Sequence, residues 1–201
     1  ETGRGRAPLR CVSGERGPMT VQPLRLFGDP VLRTKADPVV DFDKELRTLV
    51  ADLHETMRDE GGAGLAAPQI GVGLRVFTFR ADGVEGHMVN PTWNAADDTE
   101  QVGPEGCLSI PGLRFDCRRF EHVVATGWDM YGEPQTVEGT ALIARAIQHE
   151  TDHLDGVLFL DKLDPATRRE AMKAIREAPW FDAGAPPTVK TSPHPLFGRA
   201  L

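Results

Sequence analysis

The sequence predicts an α+β fold in which small antiparallel sheets pack around a buried central helix, with one further helix towards each end of the chain. Most candidate strands precede the two helices predicted late in the chain, which favours α+β over an alternating α/β order. An apolar stripe at helical spacing over residues 46–57 predicts the N-terminal helix. At 201 residues, the chain suits one domain with a substantial core.

The ends of the chain differ in composition from the middle. Residues 1–18 contain four arginines and no apolar stretch, so we expect a disordered extension, native or artificial, with Met19 as the natural start. Residues 19–180 are assigned to one domain that becomes ordered near Val21. Residues 181–201 are rich in proline and are expected to form an irregular tail.

The first half of the chain combines one helix with short strands. The predicted elements are a helix capped by Asp41 or Asp43 and ended by Gly61 and Gly62, a Gly- and Ala-rich loop over 62–71, strands over 74–79 and 88–93, and a polar loop over 94–101. Pro91 is expected to break the second strand, because proline cannot donate a hydrogen bond to a ladder.

Two further elements flank the central helix. The segments 122–130 and 135–138 surround a Tyr-Gly-Glu-Pro turn and predict a β-hairpin before that helix. An amphipathic helix is predicted after it, over 165–178, with a proline in its first turn.

The central helix carries the motif His-Glu-x-x-His. We expect it to begin with Thr140 as its N-cap and to end at Gly156, and the apolar run over 141–144 predicts burial from the first turn. His149 and His153 are four positions apart, which places both imidazoles on one face, one turn apart. This spacing suits two neutral nitrogens that bind one metal ion.

The residues around this pair indicate what a metal would do there. In HExxH sites the glutamate, here Glu150, is not a ligand but takes a proton from the water at the metal. A catalytic site also needs a third protein ligand. Downstream, His194 lies in the proline-rich tail. Upstream, Cys107 is a better candidate, although its segment by itself favours the small buried hydrophobe that most free cysteines are.

Composition excludes several classes of function. The net charge of -7 and the lack of a basic stripe argue against direct readout of nucleic acid. No apolar run is long enough to span a bilayer, so we expect no membrane association. Three cysteines without a CxxC pair argue against a disulfide framework and favour the cytoplasm.

Three sequence blocks provide the most specific observation. They are Gly62-Ala63-Gly64-Leu65-Ala66-Ala67-Pro68-Gln69, Glu105-Gly106-Cys107-Leu108-Ser109 and Gln148-His149-Glu150-Thr151-Asp152-His153-Leu154-Asp155-Gly156. Together they resemble the motifs GxGxAAxQ, EGCLS and QHExDHLxG of the peptide deformylase family, and every fixed position matches. The EGCLS form is associated with bacterial members. The resemblance covers about Val21 to Ala178, so residues 19–180 would be the catalytic domain.

The resemblance implies a ligand set and a cofactor. Cys107, His149 and His153 would hold one divalent ion, which reverses the interpretation of Cys107 from its segment alone. Fe(2+) is the native ion that the family implies, and Zn(2+), Ni(2+) or Co(2+) would also be accepted. A thiolate–imidazole site is compatible with several of these ions, so the spacing does not choose among them.

The resemblance also implies a reaction. The substrates would be N-formylmethionyl peptides of newly made proteins, and the formyl group would leave as formate. Glu150 would act as the base, while the side-chain amide of Gln69 and the backbone N–H of Leu108 would stabilise the oxyanion. Without the other two blocks, Gln69 would be interpreted as a loop amide that satisfies nearby backbone groups.

Substrate binding can be assigned to three residues. The backbone at Gly64 is expected to pair with an extended peptide by strand addition. Leu142 and Ala146, on the helix before His149, are candidates for the wall of the methionine pocket, and plain core packing remains the alternative for Leu142. Arg145 lies outside the motif and is expected to be solvated, with a position at the mouth of the pocket as the alternative.

Two acidic residues within the motifs are expected to support the ligands. Asp152 would orient a ligand or anchor an arginine, and Glu105 would pair with Arg114 or Arg119 to hold the Cys107 segment. A transient contact of the C-terminal helix with the ribosome is a further expectation.

Two other functions share part of this pattern. A zinc endopeptidase of the HExxH type would use the same base but leave Cys107 and Gln69 unexplained. A metal-stabilised binding module, such as a ribosome-associated factor, would not require a base beside an oxyanion donor.

Overall fold

The computed structural model describes residues 20–182, which form an α+β fold with three α-helices and seven β-strands. The helices are α1 (Lys44–Asp59), α2 (Ala141–Leu154) and α3 (Pro165–Glu177), and the strands are β1 (Gly64–Ala66), β2 (Val76–Ala81), β3 (Val84–Ala95), β4 (Glu100–Cys107), β5 (Ile110–Phe120), β6 (His122–Trp128) and β7 (Pro134–Thr140). The expected extension over 1–18 and the tail beyond residue 182 lie outside the described residues. Within 20–182, no helix is both long and apolar enough to cross a membrane.

The strands form two separate antiparallel sheets. Five of them lie in the order β1-β2-β3-β6-β7, and β4 pairs with β5 in a hairpin of its own. The expected break at Pro91 is wrong, because β3 continues past it. Instead, the ladder between β3 and β6 shifts register between Val89 and Thr92. A local irregularity of this kind accommodates a residue that lacks a backbone donor.

Helix α1 follows its sequence pattern closely. Asp43 is the N-cap, and its side chain accepts a hydrogen bond from the Leu46 N–H at 3.0 Å. The apolar stripe is buried, with Leu49 and Leu53 fully shielded, and it packs against β1 and β2. Gly61, with φ of 66°, provides the left-handed conformation that ends the helix.

Three strands were not predicted from the sequence. Strand β1 lies inside the segment expected to be a Gly- and Ala-rich loop, and β4 and β5 lie where no strand was expected. Strand β4 contains Gly103, Pro104 and Gly106, which are residue types depleted in strands. The hairpin packs on α3 through a small apolar cluster that includes Ile110, Cys117 and Ile175.

Helix α2 contacts strands of both the five-stranded sheet and the β4–β5 hairpin. Its expected burial from the first turn is wrong, since Ala141 and Leu142 are exposed and burial begins at Ala144. The helix starts directly where the edge strand β7 ends. Thr140 occupies the N-cap position, but its side chain makes no capping hydrogen bond.

Candidate metal centre

Three side chains suited to metal binding converge between α2 and the β4–β5 hairpin. Cys107 ends β4, while His149 and His153 lie on adjacent turns of α2. One donor atom from each of the three lies within 4.8 Å of the others, and all three residues are buried. The Sγ of Cys107 and the Nε2 of His153 are 3.2 Å apart. This is the only such group of three among the residues that the structure describes.

The chemistry of these donors fits a divalent transition metal. The Nδ1 of His149 is bonded to the Oε1 of Glu105 at 2.7 Å, which leaves its Nε2 available as a ligand. The ring of His149 also stacks on Phe159, with a centroid distance of 6.1 Å, so its orientation is fixed from two sides. A thiolate with two imidazoles, one of them oriented by a carboxylate, is a donor set that zinc and other transition metals accept in proteins.

Glu105 is the centre of a buried charge network behind this triad. Arg119 donates to its carboxylate through Nε at 3.0 Å and Nη2 at 2.6 Å. Burial would by itself raise the pKa of Glu105, but the hydrogen bonds and charges of His149 and Arg119 outweigh it and hold that pKa well below its ordinary value. Of the two arginines considered from the sequence as partners, Arg119 therefore makes the contact.

The same network reaches α2 at two further points. Arg119 Nη1 donates to Asp152 at 2.6 Å, which agrees with the expectation that Asp152 anchors an arginine. Arg145 Nη1 donates to Glu105 at 2.8 Å and to the Cys117 carbonyl at 2.9 Å. The expectation of a solvated Arg145 is wrong, because only 7% of this residue is exposed. Its position one turn before His149, on the inward face, was the signal that sequence reasoning missed.

Glu150 lies against the first glycine-rich block. A β-carbon at Gly64 would overlap the Glu150 carboxylate, so only glycine allows the two segments to approach this closely. Its Oε2 is buried and has no hydrogen-bond partner among the described residues. Burial raises the pKa of Glu150 to about 7. A carboxylate that no protein donor occupies can accept a proton from a bound molecule.

Gln69 is held in one orientation by its neighbours. Its Oε1 accepts a hydrogen bond from the Ala66 N–H at 2.8 Å, which turns the amide NH₂ towards the hairpin. There the Nε2 lies 3.2 Å from Ser109 Oγ and 3.6 Å from Cys107 Sγ. Gln69 therefore presents hydrogen-bond donors to the triad.

A cleft of about 930 Å³ opens over these residues. Its lining includes Gly64, Gln69, Cys107, Leu108, Leu142, Ala146, His149 and Glu150. His153 does not line the cleft and lies behind it, with 1% of its surface exposed. Leu142 is 44% exposed, so core packing does not describe it. The structure thus brings the residues named from the sequence, apart from His153, to the lining of a single cleft.

The α+β fold and the thiol–imidazole triad beside an unpaired carboxylate define a metal-dependent hydrolase. The family model described as polypeptide deformylase matches residues 21–169, and the chain belongs to that family.

Relatives and solved structures agree with this assignment. The chain is 61% identical over 183 residues to the peptide deformylase of Acidothermus cellulolyticus, a match that covers 91% of this chain and 100% of that protein. It is 59% identical over 182 residues to that of Parafrankia sp., covering 90% of this chain and 99% of the relative. The crystal structure of a peptide deformylase from Legionella pneumophila matches with a TM-score of 0.74 and 38% identity, over 79% of this chain and 95% of that one.

Proposed function

We propose that this chain removes the formyl group from N-formylmethionyl peptides of newly made proteins and releases formate, with Cys107, His149 and His153 as ligands of one divalent ion. The observation that carries the proposal is the convergence of Cys107 with His153, 46 residues away, at 3.2 Å. Family membership supports the same activity. The helix that carries the motif would be the central element of a catalytic domain over residues 19–180.

The proposed ligands indicate which ions the site accepts and what chemistry such an ion supplies. When bound, a divalent ion supplies Lewis acidity that polarises the formyl oxygen and makes water more acidic. We propose Fe(2+) as the native ion and Zn(2+), Ni(2+) or Co(2+) as ions that the same donors accept. The mixed thiolate and imidazole donors support this range.

Glu150 is proposed to move the proton. As water adds to the formyl carbon, the free Oε2 of Glu150 accepts the water proton and then delivers it to the departing amine nitrogen. The bond between formyl carbon and nitrogen breaks, and formate and the free amino terminus leave. The close approach of Gly64 to this carboxylate supports the role, because it brings the substrate-binding segment next to the base.

Gln69 and Leu108 are proposed to stabilise the charge that develops on the formyl oxygen. The Gln69 NH₂ group is turned towards the triad by its bond to Ala66. Leu108 follows Cys107 directly and lines the cleft, so its backbone N–H would be the second donor. Donors fixed before the reaction stabilise a transition state without reorganisation.

The peptide is proposed to bind along the edge strand β1. Within the described residues, β1 pairs with β2 on one side only, so the backbone at Gly64 is available to an extended peptide. Backbone pairing accepts many downstream sequences. Leu142 and Ala146 would form one wall of the methionine pocket, since both line the cleft.

The proposed activity acts on newly made proteins, so we place it in the cytoplasm. A transient contact of α3 with the ribosome remains a proposal, and direct readout of nucleic acid or membrane binding is not part of it. The net charge of -7 supports the exclusion of nucleic acid.

Formate release from formyl-Met-Ala-Ser by the Fe(2+)- or Co(2+)-loaded protein tests the proposal. We expect Glu150→Gln to lower kcat by about 10²–10⁴-fold while metal binding is retained. Glu100→Gln, on the exposed face of the hairpin, is the matched control. Cleavage of an internal peptide bond without formate release would indicate an endopeptidase instead, and a loaded protein with no hydrolytic activity would indicate a binding module.

A further inference from the structure

The three proposed metal ligands come from two parts of the molecule that share no sheet. Cys107 ends β4 of the two-stranded hairpin, and both histidines lie on α2. The hairpin forms no ladder with the five-stranded sheet among residues 20–182. No shared ladder sets the distance from the thiol to the imidazoles, and side-chain contacts between the hairpin and α2 contribute to it.

The charged contacts centre on Glu105, two positions before Cys107. Its buried carboxylate receives hydrogen bonds from Arg119 of the hairpin and from Arg145 and His149 of α2. One carboxylate thus fixes the proposed ligand His149 and the strand that carries the proposed ligand Cys107. Arg145 and His149 are the two residues of α2 that bond this carboxylate, so loss of Arg145 removes one of the two links between Glu105 and the helix.

Arg145 contacts the hairpin at three points. Besides Glu105, it donates to the backbone carbonyl of Cys117 on β5 at 2.9 Å and to the side-chain oxygen of Gln101 on β4 at 3.2 Å. A planar guanidinium can serve three acceptors in fixed directions at once, whereas a lysine ammonium acts as a point charge. Arg145 lies four positions before His149, on the same face of α2.

We propose that Arg145 is a positioning residue for the metal centre: by holding both strands of the β4–β5 hairpin and Glu105 against α2, it keeps the thiol of Cys107 within reach of the two imidazoles. The proposal rests on the function proposed above only for the identity of the ligands. Arg145 itself does not bind the ion. Loss of Arg145 allows Cys107 to move away from the two histidines. Metal affinity therefore falls even when no substrate is present.

The test measures metal affinity in the absence of substrate. Zn(2+) dissociation constants are obtained by competition with a chromogenic chelator for the wild type, Arg145→Met and Arg145→Lys, well below the unfolding temperature of each. We expect Arg145→Met to weaken affinity by about 10–100-fold, the usual effect of losing a partner of a ligand. Arg145→Lys should show a smaller loss, because its ammonium reaches Glu105 but cannot serve all three acceptors.

Arg75→Met is the matched control. Arg75 is a half-buried arginine that bonds the Leu154 carbonyl and Asp155 at the end of α2, without contact to Glu105. Its loss should lower the unfolding temperature but leave the Zn(2+) dissociation constant unchanged. The absorption of the Co(2+)-loaded protein provides a second measurement, since loss of the thiolate–cobalt band in Arg145→Met would locate the change at Cys107.

Two results would overturn the proposal. One is a wild-type Zn(2+) dissociation constant in folded Arg145→Met, which would make Arg145 merely structural. If Arg145→Met does not fold, the second result is a Zn(2+) dissociation constant in Arg145→Lys that equals that of the wild type. Failure of the wild type to release formate would instead count against the proposed function, because the metal measurements use no substrate.

Discussion

The five-stranded sheet and the β4–β5 hairpin face α2 in different ways. The sheet meets the helix with an apolar surface in which Phe77 and Met88 are fully buried. The hairpin meets it with charged side chains, and Glu105 and Arg119 are 4% and 5% exposed. Both surfaces are shielded from water, but only the hairpin carries a proposed metal ligand.

This difference shows what each kind of contact provides. Apolar contacts are not directional, so they stabilise the sheet against α2 without fixing individual atoms. Buried ion pairs cost desolvation and seldom add net stability compared with apolar side chains of similar volume. They do fix geometry, because bidentate hydrogen bonds from arginine to carboxylate are directional. The hairpin therefore uses contacts that position Cys107.

The largest effect on stability is expected from Glu105→Ala in the hairpin. This change leaves Arg119 and Arg145 buried without their shared partner, so the free energy of unfolding should fall by about 3–5 kcal/mol. The measurement is urea unfolding of the metal-free protein. In the control, Glu100→Ala removes an exposed pair with Arg118 and should cost less than about 1 kcal/mol. Similar losses in the two variants would contradict the conclusion that Glu105 is the buried, shared partner of the two arginines.

The sheet region should respond to pH through His87. This residue of β3 is shielded, and its Nε2 accepts a hydrogen bond from the Met130 N–H at 3.0 Å. Burial, then the charge of His54, lower the pKa of His87 from 6.5 to about 4, against the raising effect of Asp129. The unfolded chain therefore binds the proton more readily. The contribution of neutral His87 to the free energy of unfolding is complete above pH 6.5 and falls by about 3 kcal/mol as the pH drops towards 4.

His87→Gln tests this slope, because glutamine keeps a hydrogen-bond acceptor but does not titrate. Unfolding free energies of the metal-free protein, measured from neutral pH down to about 4, should show a shallower acid limb in the variant. His122→Gln is the control. The pKa of His122 is raised by its hydrogen bond to Asp97, so His122→Gln should leave the fall of the unfolding free energy below pH 6.5 unchanged. An unchanged dependence of the unfolding free energy on pH in His87→Gln would show that His87 is not its cause.

The sequence predicted those parts of the fold whose pattern is local. Helix α1 and the β6–β7 hairpin were found because a helical stripe and a turn between apolar segments are both visible within a short window. Strand β5 also carried a signal, since its half-buried or buried residues alternate with exposed charged ones. These are Leu113, Phe115 and Cys117, alternating with Arg114, Asp116 and Arg118. The next inward position holds Arg119, so the apolar alternation ends where the charge network begins.

The candidate site divides in the same way. The spacing of His149 and His153 indicates a metal pair without any tertiary information. Cys107 was assigned through the resemblance, because its own segment favoured an ordinary buried cysteine. Arg145 was interpreted wrongly because its acceptors Glu105 and Gln101 are 40 and 44 residues away. Pairings over such separations have no local pattern.

The smallest effects are predicted for the N-caps of two helices, α1, which packs on the sheet, and α2, which carries the motif. Asp43→Ala should lower the unfolding free energy by about 1 kcal/mol, because the Asp43 side chain accepts the Leu46 N–H at the start of α1. Thr140→Ala should change it by less than about 0.5 kcal/mol, since Thr140 makes no capping bond. Helix α2 begins directly from β7, where Thr140 pairs with His122, so tertiary contacts set its start. Equal losses in urea unfolding of the two variants would mean that α2 depends on its own cap as much as α1 does.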